Sequence, residues 1–190
     1  ETVTLTEQTK GVGNYQWSPD GKYISYLTKG KDEDNGSQLF LMDRRGGEGV
    51  QVSDIKGEIE DYSWFNSGKK VVMVIKDFNY ADTAKSKIRV PYEMNRHQFK
   101  QDYEGYLDNR KTHLYIFDIS TKKLDTLTKG NYNEADIAIS SDDSMIAYAS
   151  NVTANPDKNS NTDIFLIHLS KQATPLQLTT FKGANSSPVF

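Results

Sequence analysis

The sequence contains no cysteine, which excludes disulfide bonds, thiolate catalysis and cysteine-based zinc sites. Its longest apolar run, at residues 71–75, is far too short to cross a bilayer. The net charge of −3 gives no overall basic field that would attract nucleic acid or an anionic membrane. We therefore expect no nucleic acid, no membrane and no cofactor among the partners of this chain.

Two further absences concern processing and catalysis. No initiator methionine and no apolar leader open the chain, which begins ETVTLTEQ and therefore indicates a processed protein or an excised piece. No G-x-S-x-G nucleophile elbow occurs, and no serine–histidine pairing signal accompanies the three histidines. We expect no catalytic residue here, so the segment alone is not an enzyme.

A repeated pattern is what the chain does contain. The stretch YQWSPDGKYISYLT, at residues 15–28, has related copies at 62–75 and 137–150. Trp17, Trp64 and Ile139 align in these copies, and a fourth copy starts at SSPVF and reaches the aligned position at Phe190. The steps are 47, 75 and 51 residues, and two other patterns, typified by SQLFLMD and VTLTE, repeat with nearly the same spacing.

Each copy predicts four short antiparallel strands, with a tight Pro- and Gly-containing turn after the first. Four such strands in 40–50 residues are typical of one β-propeller blade. We predict an all-β fold, a β-propeller segment of three four-stranded blades at about 12–54, 61–128 and 134–179, with flanking strands at both ends. The two tryptophans are expected in the core between blades.

The predicted ring is incomplete, because closed propellers typically have 4–8 blades. The chain is therefore expected to be a segment of a longer propeller, or else copies of it associate to complete the ring.

The second copy is longer than its neighbours because of an insertion at residues 77–111. Long loops in compact domains are uncommon, and this one is too aromatic for plain disorder. It is either an extra hairpin or short helix that packs over a blade edge, or a loop that projects from one face to contact a ligand.

Residues 94–118 resemble a propeller stretch of the prolyl oligopeptidase family of serine peptidases. The resemblance is to its branch of acylaminoacyl-peptidases and bacterial dipeptidyl-peptidases, through the pattern R-x-x-F-K-x-D-x-x-G-Y-L followed by R-x-T-H-L-Y. The matching residues are Arg96, Phe99, Lys100, Asp102, Gly105, Tyr106, Leu107, Arg110, Thr112, His113, Leu114 and Tyr115. The blade pattern covers the whole chain and is shared with TolB-like propellers, so the insertion pattern is the specific part of the resemblance.

The resemblance implies a serine exopeptidase in which the propeller precedes an α/β-hydrolase domain that carries the catalytic triad. That domain is not present in this segment, whose role would be to gate and help bind peptide substrates. A periplasmic or secreted location is implied in the same way, with a cytoplasmic one left open. The alternative is a TolB-like periplasmic protein-interaction propeller without enzymatic activity.

Seven insertion residues are the expected substrate contacts: Glu93, Arg96, His97, Tyr103, Glu104, Tyr106 and Arg110. A free peptide amine would need a carboxylate partner, for which Glu93 and Glu104 are the nearest candidates. A negative group would suit Arg96 or Arg110.

A calcium site is considered and set aside at residues 155–163, NPDKNSNTD, where acidic and amide side chains alternate. Thr162 stands where the sharp-turn glycine of a calcium loop belongs, and His168 stands at its twelfth position instead of glutamate. A polar hairpin explains the stretch better, so no metal site is expected.

Overall fold

The computed structural model describes residues 11–32, 35–78, 94–102, 105–170 and 174–190. Within these ranges the only helical element is one 3-10 turn, Pro156–Lys158. No helix in the described part is long and apolar enough to cross a membrane. All other regular elements are strands.

The strands in chain order are β1 (Gly13–Trp17), β2 (Tyr23–Lys29), β3 (Ser37–Asp43), β4 (Val50–Gln51), β5 (Glu58–Trp64), β6 (Lys70–Lys76), β7 (Lys100–Gln101), β8 (Gly105–Tyr106), β9 (Thr112–Asp118), β10 (Leu124–Thr126), β11 (Glu134–Ile139), β12 (Met145–Ser150), β13 (Asp163–His168) and β14 (Leu176–Gln177).

These strands form three four-stranded antiparallel sheets with the orders β1-β2-β3-β4, β5-β6-β9-β10 and β11-β12-β13-β14. The small hairpin β7–β8 lies between β6 and β9 in the chain and outside the second sheet. The predicted all-β class with several four-stranded antiparallel sheets is therefore confirmed.

The tight turn after the first strand closes with both backbone and side-chain hydrogen bonds. In the first sheet, Gly21 N donates to the carbonyl of Ser18 at 2.8 Å, and Gly21 has φ of 64°. The Ser18 hydroxyl donates to Asp20 at 2.7 Å and accepts from Tyr23 N at 3.0 Å. The sequence Ser-Pro-Asp-Gly thus supplies the hydroxyl, the carboxylate and the positive φ that this turn requires.

The cores lie between neighbouring sheets, because the middle strands are buried on both faces. In β6, Met73 packs in the cluster shared with the first sheet, and Val72 packs in the cluster shared with the third. Alternation of side chains along a strand sends successive residues to opposite faces, so one apolar strand serves two interfaces.

A buried polar contact joins the first two sheets. The Tyr62 hydroxyl and Trp64 Nε1 both donate to the Ser25 hydroxyl, at 2.7 and 2.8 Å. Burial raises the pKa of Tyr62 well above its usual value. Only 9% of Trp64 is exposed, as expected for a core aromatic between blades.

The same expectation is wrong for Trp17, which is 59% exposed. Trp17 lies on β1 of the first sheet. In the described part of the chain, no sheet packs against the side of β1 that faces away from the second sheet. An interfacial aromatic is buried by the neighbouring sheet, so the position alone does not bury it.

A hydrogen bond from the third strand of each sheet recurs in all three sheets. A backbone N–H donates to a hydroxyl that lies at or just beyond the fourth strand. The pairs are Leu39 to Ser53 at 2.8 Å, Leu114 to Thr128 at 2.8 Å and Ile164 to Thr179 at 2.9 Å. This bond explains why the fourth-strand pattern repeats a Thr or Ser, since the hydroxyl accepts a hydrogen bond from the third strand.

The predicted flanking strands have different outcomes. The first, around Leu5, lies outside the described residues. Residues 186–190 form no strand, and just before them Ala184 makes only an isolated parallel bridge with Thr162. A strand requires a neighbouring strand with which its backbone can pair, and no strand in the described part of the chain pairs with these residues.

Candidate functional site

Two hydrogen bonds join Asp77 and Lys111, the first and last residues of the insertion. Asp77 N donates to the carbonyl of Lys111 at 2.9 Å, and Lys111 N donates to Asp77 Oδ2 at 3.1 Å. Further out, Leu107 N donates to the carbonyl of Phe99 at 2.9 Å beside the β7–β8 hairpin. The described residues of the insertion therefore start from a fixed base on the second sheet.

A cavity of about 460 Å³ lies between the insertion and strands β5, β6, β9 and β11 of the second and third sheets. Its walls include Arg96, Tyr106 and Arg110 from the insertion, with Glu58, Lys76 and Glu134 from the sheets. Three of the residues that the sequence predicted as substrate contacts are thus brought together.

Asp108 holds both arginines of this cavity. Arg96 Nη1 donates to the main-chain carbonyl of Asp108. Arg110 donates to the Asp108 carboxylate twice, from Nε at 2.6 Å and from its backbone N at 3.0 Å. The sequence reasoning missed Asp108, although an aspartate two residues before its partner is a recognisable local turn signal.

The remaining predicted contacts lie elsewhere. His97 is exposed and lines a separate depression with Lys100 and Asp157. Its backbone N donates to Asp157 Oδ2 at 2.6 Å, and this bond lowers the pKa of the Asp157 carboxyl. The other three predicted contacts, Glu93, Tyr103 and Glu104, lie outside the described residues.

A buried pair lies beside the cavity, and its Glu134 is part of the cavity wall. His113 Nδ1 lies 2.8 Å from Glu134 Oε2, and the Thr112 hydroxyl donates to the Glu134 carbonyl at 2.9 Å. Burial raises the pKa of Glu134, and the hydrogen bond from His113 opposes this shift. The pair joins β9 to β11, so it connects the second and third sheets directly beside the cavity.

The charges on the cavity wall are partly matched. Lys76 Nζ lies 3.4 Å from Glu60 Oε1, and Arg110 forms an ion pair with Asp108. Arg96 forms no ion pair with a carboxylate in the described part of the chain. Its Nε is buried and has no hydrogen-bond partner among those residues.

A second cavity, of about 570 Å³, adjoins the first. Asp108 and Arg110 line both cavities, so their ion pair lies between them. The second cavity is more apolar, with Ile55, Phe78 and Tyr115 among its lining residues. A polar and a largely apolar compartment therefore share one wall at the root of the insertion.

In the stretch considered for calcium, the Asn159 side chain forms hydrogen bonds within its own loop between β12 and β13. The Asn159 amide donates to the Thr153 hydroxyl at 3.0 Å and to the Asn155 carbonyl at 2.8 Å. Within the described ranges, no group of three or more histidine or carboxylate side chains is placed to hold a metal ion.

No protein-family model matches the sequence. A relative named as an uncharacterized peptidase, YuxL of Bacillus subtilis, is 22% identical over 171 residues, which are 87% of this chain and 26% of that protein. The chain thus spans about a quarter of the length of the peptidase it matches.

Two solved structures illustrate the fold. TolB from Acinetobacter baumannii has a TM-score of 0.62 at 15% identity, over 97% of this chain and 36% of TolB. An acylaminoacyl peptidase from Pyrococcus horikoshii has a TM-score of 0.62 at 16% identity, over 88% of this chain and 25% of the peptidase. These likenesses show the fold, and the predicted resemblance to such propellers is confirmed.

Proposed function

We propose, from the confirmed resemblance to the propellers of the prolyl oligopeptidase family, that this chain is part of the non-catalytic propeller of a serine exopeptidase. In that proposal it gates access to a C-terminal hydrolase domain of the full-length protein and helps bind peptide substrates. The enzyme would be of the dipeptidyl-peptidase or acylaminoacyl-peptidase type, with a periplasmic or secreted location.

One observation carries the proposal. The insertion is where the chain departs from its own repeat, and its residues line a cavity beside strands β5 and β11. Ligand sites are commonly concave, with apolar walls and a few convergent polar groups. The two adjoining cavities have these features, and loops on a rigid scaffold often carry binding residues.

The test removes the insertion from the full-length protein. Residues 78–110 are replaced by an Asn-Gly turn, which suits the antiparallel pairing of β6 with β9 that ends at Asp77 and Lys111. We expect KM for a short chromogenic peptide to rise about 10-fold, as about 1.4 kcal/mol of binding is lost. Discrimination against long peptides should also fall.

A matched control lengthens the loop between β2 and β3 of the first sheet with a Gly-Ser segment. That loop occupies the corresponding place in a copy without an insertion, so KM and the size profile should stay as in the wild type. An unchanged KM and size profile in the deletion variant would contradict the proposed role.

The TolB-like alternative is favoured by the TolB structure, which matches 97% of this chain with the same TM-score as the acylaminoacyl peptidase. It predicts a full-length protein without peptide hydrolysis and without a G-x-S-x-G segment after Phe190. Hydrolysis that a serine-directed organophosphorus reagent abolishes would set this alternative aside.

Self-association of the chain is the other proposed way to complete the ring. Light scattering of the 190-residue chain tests it. A stable monomer excludes it.

A further inference from the structure

Arg96 is the cation on the first cavity wall that lacks a carboxylate partner in the described part of the chain. The other two cations there, Lys76 and Arg110, each have one. The guanidinium of Arg96 makes a single hydrogen bond within the described ranges, to the main-chain carbonyl of Asp108. That bond orients the group but is not an ion pair, and the nearby Asp157 carboxylate acts on Arg96 only through space.

The donor capacity of Arg96 is also only partly used. Its Nε is buried without an acceptor in the described part of the chain, which is a costly arrangement for a hydrogen-bond donor. A guanidinium offers five N–H donors in a fixed planar fork that matches a carboxylate. The unmet donors of Arg96 are therefore suited to an anionic, planar acceptor.

The chain itself shows what such a fork does when a carboxylate is available. Arg45 binds Asp43 through two parallel bonds, from Nε to Oδ1 at 2.8 Å and from Nη2 to Oδ2 at 2.8 Å. The bond from Arg96 to Asp108 uses Nη1, and the Nε and Nη2 edge of Arg96 has no such carboxylate partner in the described residues.

We propose that Arg96, supported by the adjacent Arg110, binds a carboxylate of the peptide ligand in the first cavity. This inference rests on the proposed function and deepens it by naming the chemical class that the site recognises. Asp108 is the positioning residue, because it holds both guanidinium groups on the same wall.

A peptide suits the cavity better than a free multivalent anion. Glu58 also lines the cavity and forms no ion pair in the described part of the chain, so a second negative charge on the ligand would be repelled. A ligand with one carboxylate and nearby N–H groups can bind Arg96 through the carboxylate and donate to Glu58 through the N–H groups. The carboxylate comes from the peptide C-terminus or from an acidic side chain.

The test measures binding in the full-length protein after treatment with a serine-directed organophosphorus reagent, which prevents hydrolysis. The probes are three tetrapeptides that carry a dye on a lysine side chain. One has a free C-terminal carboxylate, one is its C-terminal amide, and one is an amide with a glutamate inside. Fluorescence anisotropy gives Kd for each.

We expect a carboxylate-bearing peptide to bind about 10-fold more tightly than the neutral amide, as expected for charge-assisted bonds to a guanidinium. Tight binding of the C-terminal acid identifies the terminus as the source, and tight binding of the glutamate peptide identifies a side chain. Arg96→Ala should abolish the preference, and Arg110→Ala should reduce it.

The controls separate charge, geometry and folding. Lys100→Ala removes an exposed cation that lines the other depression, so the carboxylate preference should persist. Arg96→Lys keeps the charge but loses the planar fork, and should retain only a small part of the preference. This variant also keeps the question answerable if Arg96→Ala folds poorly.

Equal affinity of the wild type for acid and amide peptides would overturn the inference, as would an undiminished preference in both Arg96 variants. Turnover of short peptides by the untreated protein tests the proposed function separately. Turnover without a carboxylate preference would remove the inference and leave the function. Carboxylate binding through Arg96 without turnover would remove the function and leave the inference.

Discussion

Ser25 accepts hydrogen bonds from two aromatic donors, Tyr62 and Trp64, that belong to the neighbouring sheet. All three residues are buried, so neither donor has water as a substitute acceptor. The corresponding residue of the next interface is Val72, which packs in a wholly apolar cluster. At this position, therefore, the first interface has a buried polar contact and the second has an apolar one.

Ser25→Ala is expected to lower the free energy of unfolding by about 2–4 kcal/mol, because two buried donors lose their acceptor. Urea denaturation followed by tryptophan fluorescence measures the change. Ser141→Ala, at an exposed turn position, serves as the control and should shift the free energy by about 0.5 kcal/mol or less. A similar small shift for Ser25→Ala would show that the hydroxyl is dispensable.

The turn carboxylates give a second residue-scale prediction. Hydrogen bonds from Ser18 and Ser140 lower the pKa values of Asp20 and Asp142 to about 2. A folded-state pKa below the unfolded value contributes stability that is present above the unfolded pKa and lost as pH falls through the folded one. The free energy of unfolding should therefore decrease from about pH 4 to about pH 2.

In the double variant Asp20→Asn, Asp142→Asn this decrease should be shallower. Some dependence should persist, because Asp43 and Asp118 also have lowered pKa values. Denaturation at several pH values measures the slope. An identical slope in the wild type and the double variant would refute the assignment to these turns.

At the scale of the element, the recurring third-strand hydrogen bond predicts a graded response. Thr128→Val replaces the hydroxyl by a methyl group and leaves Leu114 N without its side-chain acceptor at a buried position. We expect a loss of about 1–3 kcal/mol in unfolding free energy. Thr179→Val should cost less, since Thr179 is only half-buried and water can replace its hydroxyl.

Hydrogen exchange at the backbone of Leu114 and Ile164 locates the effect. Each variant should increase exchange at its own partner and not in the other sheet. Equal losses of stability in the two variants would contradict the dependence on burial.

The repeat made the elements predictable from the sequence, because three patterns shared one spacing. The first strand of each sheet ends at Trp17, Trp64 or Ile139, where the aligned copies place it. The exposure of Trp17 was not predictable in this way, since burial at an interface depends on a neighbouring sheet. Pattern fixes which residues form a strand, and partners decide whether that strand is covered.

The candidate site was predictable only in part. The departure of the insertion from the repeat pointed to Arg96 and Arg110, which do line one cavity. The role of Asp108 depends partly on its main-chain carbonyl, a group that every residue has and no sequence pattern reveals. Glu134 reaches the cavity from the next sheet, and nothing local in the sequence links it to the insertion.

At the scale of the whole molecule, the two tryptophans report on the proposed incompleteness of the ring. Trp17 and Trp64 occupy the same position in adjacent copies, yet only Trp64 is covered by a preceding sheet. If the chain is a segment of a larger propeller, a preceding blade in the full-length protein would cover Trp17 in the same way.

We expect acrylamide to quench Trp17 readily and Trp64 weakly in the 190-residue chain, as measured in the single variants Trp64→Phe and Trp17→Phe. In the full-length protein, quenching of Trp17 should fall to the level of Trp64. Persistent exposure of Trp17 there would contradict a preceding blade.

The closed base of the insertion has a consequence for how such a chain can diversify over evolutionary time. Because Asp77 and Lys111 are hydrogen-bonded to each other, the sheet ends in the same way whatever the length of the intervening segment. Doubling a flexible loop costs only about 0.6 kcal/mol in closure entropy. New recognition loops can therefore be exchanged at this point while the blade beneath keeps its inherited packing.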